Sequence, residues 1–151
     1  MDKKIVDYIQ DNRIATLCCT DENNAPYCFN CFYAFDTENA LLFFKSSLQT
    51  YHAQLLLQNT HIAGSILPER IEMLSLKGLQ LTGTIIYEDF PENINPEMYY
   101  HKRFPLALAK TGEVWCIQLE TIKMTDNTPV FGKKLLWSKR ERIDNTINAR
   151  Y

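Results

Sequence analysis

The sequence predicts a mainly β fold, a small antiparallel barrel of about six strands with short helices in the gaps between them. Three observations lead there. Apolar and β-branched segments recur along the chain, most of them separated by short turns. The regular strand–helix alternation of a doubly wound parallel sheet is missing. One long strand-like stretch, 73–88, changes the parity of its apolar residues midway, as a strand does where a bulge bends it round a barrel corner.

Positions 2–12 set Ile5, Val6 and Ile9 on one side at helical spacing, with Asp2 as N-cap. The first strand, 14–20, is rich in β-branched residues and cysteine, and the run from Asp21 to Pro26 is a dense turn signal. The second strand covers 27–36. Thr37-Glu38-Asn39 turns it into the third, 40–46, and so short a turn demands antiparallel pairing. A helix over 50–58 stops at Asn59. The strand 61–66 is broken by Pro68-Glu69-Arg70. In 73–88, Leu74 and Leu76 give way to Leu79, Leu81, Ile85 and Tyr87, and Gly78 is the expected bulge. Asn95-Pro96 is an N-cap followed by proline at the first helical position, opening a helix to about Lys102. The last strand, 114 to about 123, puts Trp115, Ile117 and Leu119 on one face. The remainder, 125–151, is polar and basic, with Phe131 and Trp137 as anchors and a tail from about 138.

The 151 residues fit one domain, and 46% hydrophobic with 23% charged residues excludes wholesale disorder. A net charge of −2 argues against nucleic acid held by bulk charge. No apolar run reaches the ~20 residues of a membrane span, and the charged start MDKKIVDYIQDNR lacks a signal-peptide core, so a cytoplasmic protein is expected. Five cysteines, an odd number, read as reduced thiols.

Several positions carry chemistry. The second strand is largely apolar on both faces: Tyr27, Phe29, Cys31, Tyr33 and Phe35 on one, Cys28, Asn30, Phe32, Ala34 and Asp36 on the other. One face fits a barrel interior. The other calls for a partner subunit, a ligand or a helix. Asn30 stands in that setting as a polar group that must find partners, either neighbouring backbone or the polar edge of a bound ring. Lys45, Ser46, Ser47, Thr50 and His52 lie where a strand end meets a helix start, and this dressing of a helix N-terminus suits a phosphate. Cys28-x-x-Cys31 and Cys18-Cys19 diverge on strands and read as buried apolar cysteines, not zinc ligands. Lys133, Lys134, Lys139, Arg140 and Arg142 read as a solvated basic tail. No spacing identifies a catalytic nucleophile or a metal site.

These features together resemble the FMN-binding split barrels typified by pyridoxamine 5′-phosphate oxidase, and most closely the YhbP-like subgroup. The likeness spans about 14–137. It rests on Asn30-Cys31-Phe32-Tyr33, Thr50-Tyr51-His52-Ala53-Gln54, Lys77-Gly78-Leu79-Gln80-Leu81-Thr82-Gly83, Arg103-Phe104-Pro105, Lys123-Met124-Thr125-Asp126-Asn127-Thr128 and Phe131-Gly132-Lys133-Lys134 with Trp137. The resemblance implies a six-stranded antiparallel Greek-key split barrel and a homodimer with FMN at its interface. It places the phosphate among Ser46, Ser47, Thr50 and His52, and Asn30 against the flavin ring. Gln80, Lys133 and Lys134 match the subgroup's own pattern. The segment 143–151 lacks the Arg/His pattern that holds substrate phosphate in true pyridoxamine phosphate oxidases.

Three functions fit this reading: a flavin-dependent oxidoreductase acting on a small molecule, a binding or sensing module for FMN, another flavin-like cofactor or haem, and a cofactor-free barrel dimer.

Overall fold

Seven strands form a single antiparallel sheet that curls until its third strand meets its sixth, in the described residues 1–70, 76–127 and 133–140 of a computed structural model. In chain order the elements are α1 (Lys3–Asp11), β1 (Ile14–Thr20), β2 (Pro26–Asp36), β3 (Leu41–Ser46), α2 (Tyr51–Gln58), β4 (His61–Ile66), β5 (Lys77–Ile86), α3 (Pro96–Arg103), a 3-10 turn (Pro105–Ala109), β6 (Glu113–Asp126) and β7 (Lys133–Ser138). The sheet order is β3-β2-β1-β4-β5-β6-β7, and β3 also pairs with β6. The six strands β1–β6 therefore close a barrel, with the Greek-key order of β4 lying beside β1, and β7 extends the sheet from β6.

Alternation fills the barrel. Leu17, Phe29, Tyr33, Leu42, Phe44, Ile62, Leu81, Ile117 and Leu119 belong to one buried cluster. Helix α1 packs onto it through Ile5, Tyr8 and Ile9, after Asp2 caps the helix by accepting from the Lys4 N–H at 2.8 Å. The Tyr33 hydroxyl donates to the Ile9 carbonyl at 2.7 Å, and burial pushes the Tyr8 phenol up to about 12. A second cluster, Ala34, Leu41, Phe43, Tyr100 and Cys116, lies outside the barrel beneath α3. Residues 41–44 of β3 are consequently buried on both faces.

Two expectations are corrected. Gly78 is in regular register opposite Thr125, and the irregularity falls between Thr82 and Gly83, where Glu120 is the unpaired extra residue on β6. The inward side chains of β6 record the shift: Trp115, Ile117 and Leu119 are odd, Ile122 and Met124 even. The parity change before Gly78 arises because β5 begins at Lys77, leaving Leu76 60% exposed. Residues 71–75, which include Leu74, lie outside the described residues, as do Phe131 and 141–151. The second correction is β7. The polar C-terminal region includes a strand, paired to β6 from Asp126↔Lys133 to Thr121↔Ser138.

Gly83 sits where β5 and β6 come closest after the bulge. A Cβ there would lie 2.6 Å from the Gln118 carbonyl oxygen and 2.7 Å from Ile117 Cγ2, whereas at Gly78 the nearest atom would be Leu67 Cδ2 at 3.6 Å. Gly83→Ala should therefore cost about 1–3 kcal/mol in urea denaturation, and Gly78→Ala should be neutral or up to about 1 kcal/mol stabilising. Equal effects at the two glycines would contradict this placement of the bulge.

Candidate functional site

The C-terminal end of β3 and the start of α2 bring three hydroxyl and imidazole groups together. Thr50 caps α2, its hydroxyl accepting from the Ala53 N–H at 3.4 Å and donating to the Ser47 carbonyl at 2.9 Å. The Ser46 hydroxyl lies 2.7 Å from His52 Nε2 and 3.3 Å from the Thr50 hydroxyl, and His52 Nε2 is 3.1 Å from Thr50 Oγ1. The His52 ring stacks on Phe29 with centroids 3.9 Å apart and planes 7° from parallel. Burial against this wall lowers the His52 pKa below its ordinary 6.5, so the ring is neutral at pH 7. Trp115 Nε1–H donates to the Ser46 carbonyl at 3.2 Å and fixes the strand end.

The register of β3 with β6 supplies the facing wall. Ser46 pairs with Glu113, so residues 110–112 run beside 46–47. Gly112, at φ 132°, permits the close approach: a Cβ there would sit 3.1 Å from the Ser46 carbonyl carbon. Lys45 Nζ donates to the Ala107 carbonyl at 3.0 Å and lies 3.1 Å from His101 Nε2, while His101 Nδ1 is 3.2 Å from Glu97. His101 thus stands between Lys45 on its Nε2 side and Glu97 on its Nδ1 side.

Lys45, Ser46, His52 and Ala107 line a cleft of about 250 Å³ together with Phe29, Asn30, Cys31, Phe32, Tyr100, Lys110 and Thr111. Its described lining contains two lysines and a histidine and no carboxylate. One wall is apolar and aromatic, the other rich in cations and hydroxyls. That combination suits a planar ring carrying an anionic tail.

Of the residues picked out from the sequence, Asn30, Lys45, Ser46 and His52 line this cleft. Thr50 stands behind His52, and Ser47 closes the turn by accepting from the Gln49 N–H at 3.2 Å. Asn30 is exposed, and its Oδ1 accepts from the Thr16 hydroxyl at 2.8 Å. The expectation of a buried amide fails because α3 covers the outer face of β2 only from Ala34 onward, leaving Cys28, Asn30 and Phe32 open. Gln80 is exposed on β5, between Ser65 and Lys123, and β1 and β4 separate it from β2. Lys134 is exposed on β7 opposite Thr125, and the Lys133 backbone pairs with Asp126. Neither position reaches the cleft of its own chain through the sheet. The cysteines divide: Cys19 and Cys116 are buried, Cys18 and Cys31 half-buried, and Cys28 is exposed, correcting the reading of all as core residues. Lys110, Thr111, Tyr100 and His101 escaped the sequence reading, because the register of β3 on β6 and the seat of α3 bring them in, and no local spacing marks either.

No helix among the described residues is long and apolar enough to cross a membrane. No family model matches the chain. A heme binding protein from Mycobacterium smegmatis superposes with a TM-score of 0.72 at 12% identity, covering 87% of this chain and 55% of its own. A FAD-binding protein from Mesorhizobium loti gives 0.62 at 16% identity over 81% and 91%. A Clostridium acetobutylicum protein related to general stress protein 26, of the pyridoxinephosphate oxidase family, gives 0.64 at 17% identity over 93% and 99%. These likenesses show the fold, a split barrel. A UPF0306 protein of Photorhabdus laumondii is 33% identical over 132 residues, which cover 87% of this chain and 92% of that protein, and the chain belongs to the UPF0306 family.

Proposed function

We propose that the cleft binds FMN and that the protein is a cytoplasmic, flavin-dependent oxidoreductase acting on a small molecule, with the cofactor at the interface of a homodimer. The observation that carries this is the two-sided chemistry of a single cleft. Lys45, Ser46, His52, Lys110 and Thr111 suit a phosphate, and they lie beside an apolar wall of Phe29 and Phe32. The residues fit the group. The close approach that Gly112 permits brings the loop bearing Lys110 and Thr111 against Ser46, and Lys45 has described acceptors for two of its three N–H donors, leaving one for a ligand. FMN supplies the electron-accepting ring, and the protein binds it, orients it and excludes water. In this reading Asn30, at the mouth of the apolar wall, offers its amide to the ring edge.

The cleft of about 250 Å³ is small for a cofactor site, which usually occupies about 300–1,000 Å³. Its open side adjoins Phe32, 52% exposed, and Ile14, 45% exposed. A second copy seated over this edge completes the wall and removes the exposed aromatic from water. Gln80 and Lys134, on the uncovered outer sheet, are then available to the interface. A haem reading draws on the Mycobacterium smegmatis neighbour. Against it, the described lining offers a single histidine, His52, among lysines and hydroxyls that suit a phosphate better than a haem iron.

Titration with FMN and with riboflavin tests the site. His52→Ala should weaken FMN about ten- to a hundredfold, the value of one charge-assisted hydrogen bond, and leave riboflavin little changed. The sign with pH follows from burial. Free His52 is neutral at pH 7, and a bound phosphate raises its pKa, so binding takes up a proton. Affinity should therefore rise as pH falls from 7.5 toward 6, until the phosphate itself protonates near a pKa of about 6, and His52→Ala should flatten that slope. Equal losses for both ligands would assign His52 to the fold; no loss for either would remove it from the site.

The interface has its own check. Phe32→Asp should convert a dimer to a monomer by light scattering at micromolar concentration and weaken FMN at least tenfold, because the second wall is lost. A monomeric wild type with full FMN affinity would refute the interface site.

A further inference from the structure

We propose that Cys18 and Cys28 are a two-electron redox pair on the outer face of the barrel, closing to an intrachain disulfide by exchange with a low-molecular-weight disulfide. This goes beyond the cofactor reading and does not depend on it.

The β1–β2 ladder supports the pairing. Its register sets Cys18 directly opposite Cys28. At one end the Tyr33 N–H donates to the Arg13 carbonyl, and at the other the Asp21 N–H donates to the Ala25 carbonyl, each at 3.1 Å. Hydrogen-bonded and non-hydrogen-bonded rungs alternate along an antiparallel pair. The odd residues of β1 therefore occupy the hydrogen-bonded rungs. Ile14↔Phe32, Thr16↔Asn30 and Cys18↔Cys28 occupy the others. In non-hydrogen-bonded rungs the Cα atoms approach to about 4.5 Å, inside the span of about 4.4–6.8 Å that a disulfide bridges. The side chains of these rungs do meet: Thr16 and Asn30 bond at 2.8 Å.

Cys28 is exposed and Cys18 half-buried. Burial first, and then contact with Cys28, pushes the Cys18 thiol up. These positions give the two sulfurs different parts. The Cys28 thiolate attacks one sulfur of the small disulfide, and one thiolate leaves and takes a proton from water. Cys18 then gives its proton to solvent and attacks Cys28 Sγ, displacing the second small thiolate. One S–S bond is broken and one formed, and two electrons pass from the protein thiols to the oxidant. The remaining cysteines are excluded. Cys19 points inward from the neighbouring position, donating to the Tyr27 carbonyl, and burial holds Cys31 and Cys116 at about 12. In a reducing compartment such a pair is a switch or a catalyst and not a permanent staple.

The test uses reduced full-length protein and oxidised glutathione. Wild type should lose two of its five titratable thiols, with an intact mass about 2 Da lower and no retained glutathione. Cleavage after Tyr27 should leave the peptides bearing Cys18 and Cys28 joined, and this should persist in Cys19→Ser. Cys18→Ser should hold one glutathione on Cys28, and Cys28→Ser should not react. A stable glutathione adduct on wild type, cross-linked chains on a non-reducing gel, or all five thiols surviving would each overturn the proposal. The wild-type mass and the fragment masses of its joined peptides decide it if a variant fails to fold.

Discussion

The antiparallel pairing of β3 with β6 is the constraint on which the rest of the molecule depends. Leu41–Ser46 lies against residues 113–118, and without that ladder the sheet would remain open, with edges at β3 and β7. Closure sends Leu42 and Phe44 into the barrel and Leu41 and Phe43 beneath α3. A strand buried on both faces holds its neighbours at fixed spacing. The same ladder also builds the cleft, because its last rung, Ser46↔Glu113, sets how the loop before β6 passes the strand end. Fold and site thus share one set of backbone hydrogen bonds, and a shift of one residue in this register would turn Ser46 away from His52.

Several polar groups of the cleft bond one another. Ser46, Thr50 and His52 form a closed triangle, and Lys45 rests on the Ala107 carbonyl and beside the His101 ring. Such a cluster is held in place before any ligand arrives, which reduces the ordering cost of binding. The His52 imidazole is neutral because stacking on Phe29 removes water from one face, and the described lining of the cleft holds no carboxylate to favour its charged form. An entering anion would therefore meet donors already aimed and a ring ready to take up a proton.

Local chemistry was legible in the sequence and register was not. Asp2, Thr50 and Asn95 cap helices as their residue types require, and the short turn after Asp36 pairs β2 with β3. The cluster from Lys45 to His52 could be read because it is contiguous. Lys110 and Thr111 could not, since they join it through a pairing 67 residues distant, Ser46 with Glu113. The misplaced bulge has a similar origin. A parity change in one strand shows that a face switches, but which strand of a pair carries the extra residue depends on both, and the change from Leu119 to Ile122 on β6 was the one that mattered. Strand β7 was hidden by its lysines and by its place at the sheet edge, where Leu135 and Trp137 are only half-buried and Leu136 is exposed.

The open half of β2 then acquires a physical meaning. A strand with one face in the core ordinarily alternates apolar with polar residues. Here the outward row of the β1–β2 ladder runs from Ile14 and Phe32 through Thr16 and Asn30 to Cys18 and Cys28: apolar, then amide and hydroxyl, then thiol. None of these choices is needed to hold the barrel, whose interior is filled by Ala15, Leu17, Cys19, Phe29 and Tyr33 from the same two strands. Solvated strand positions would be served as well by threonine, lysine or glutamate, and large exposed aromatics there invite aggregation. The row instead places an apolar contact, a directional hydrogen-bonding pair and a facing pair of thiols on successive rungs of one rigid ladder. Strand geometry fixes their spacing at about 7 Å per two residues, so a molecule or surface that engages one rung is held in register with the next. That rigidity is what a loop could not supply, and it is the physical reason to look for function on this face of the barrel.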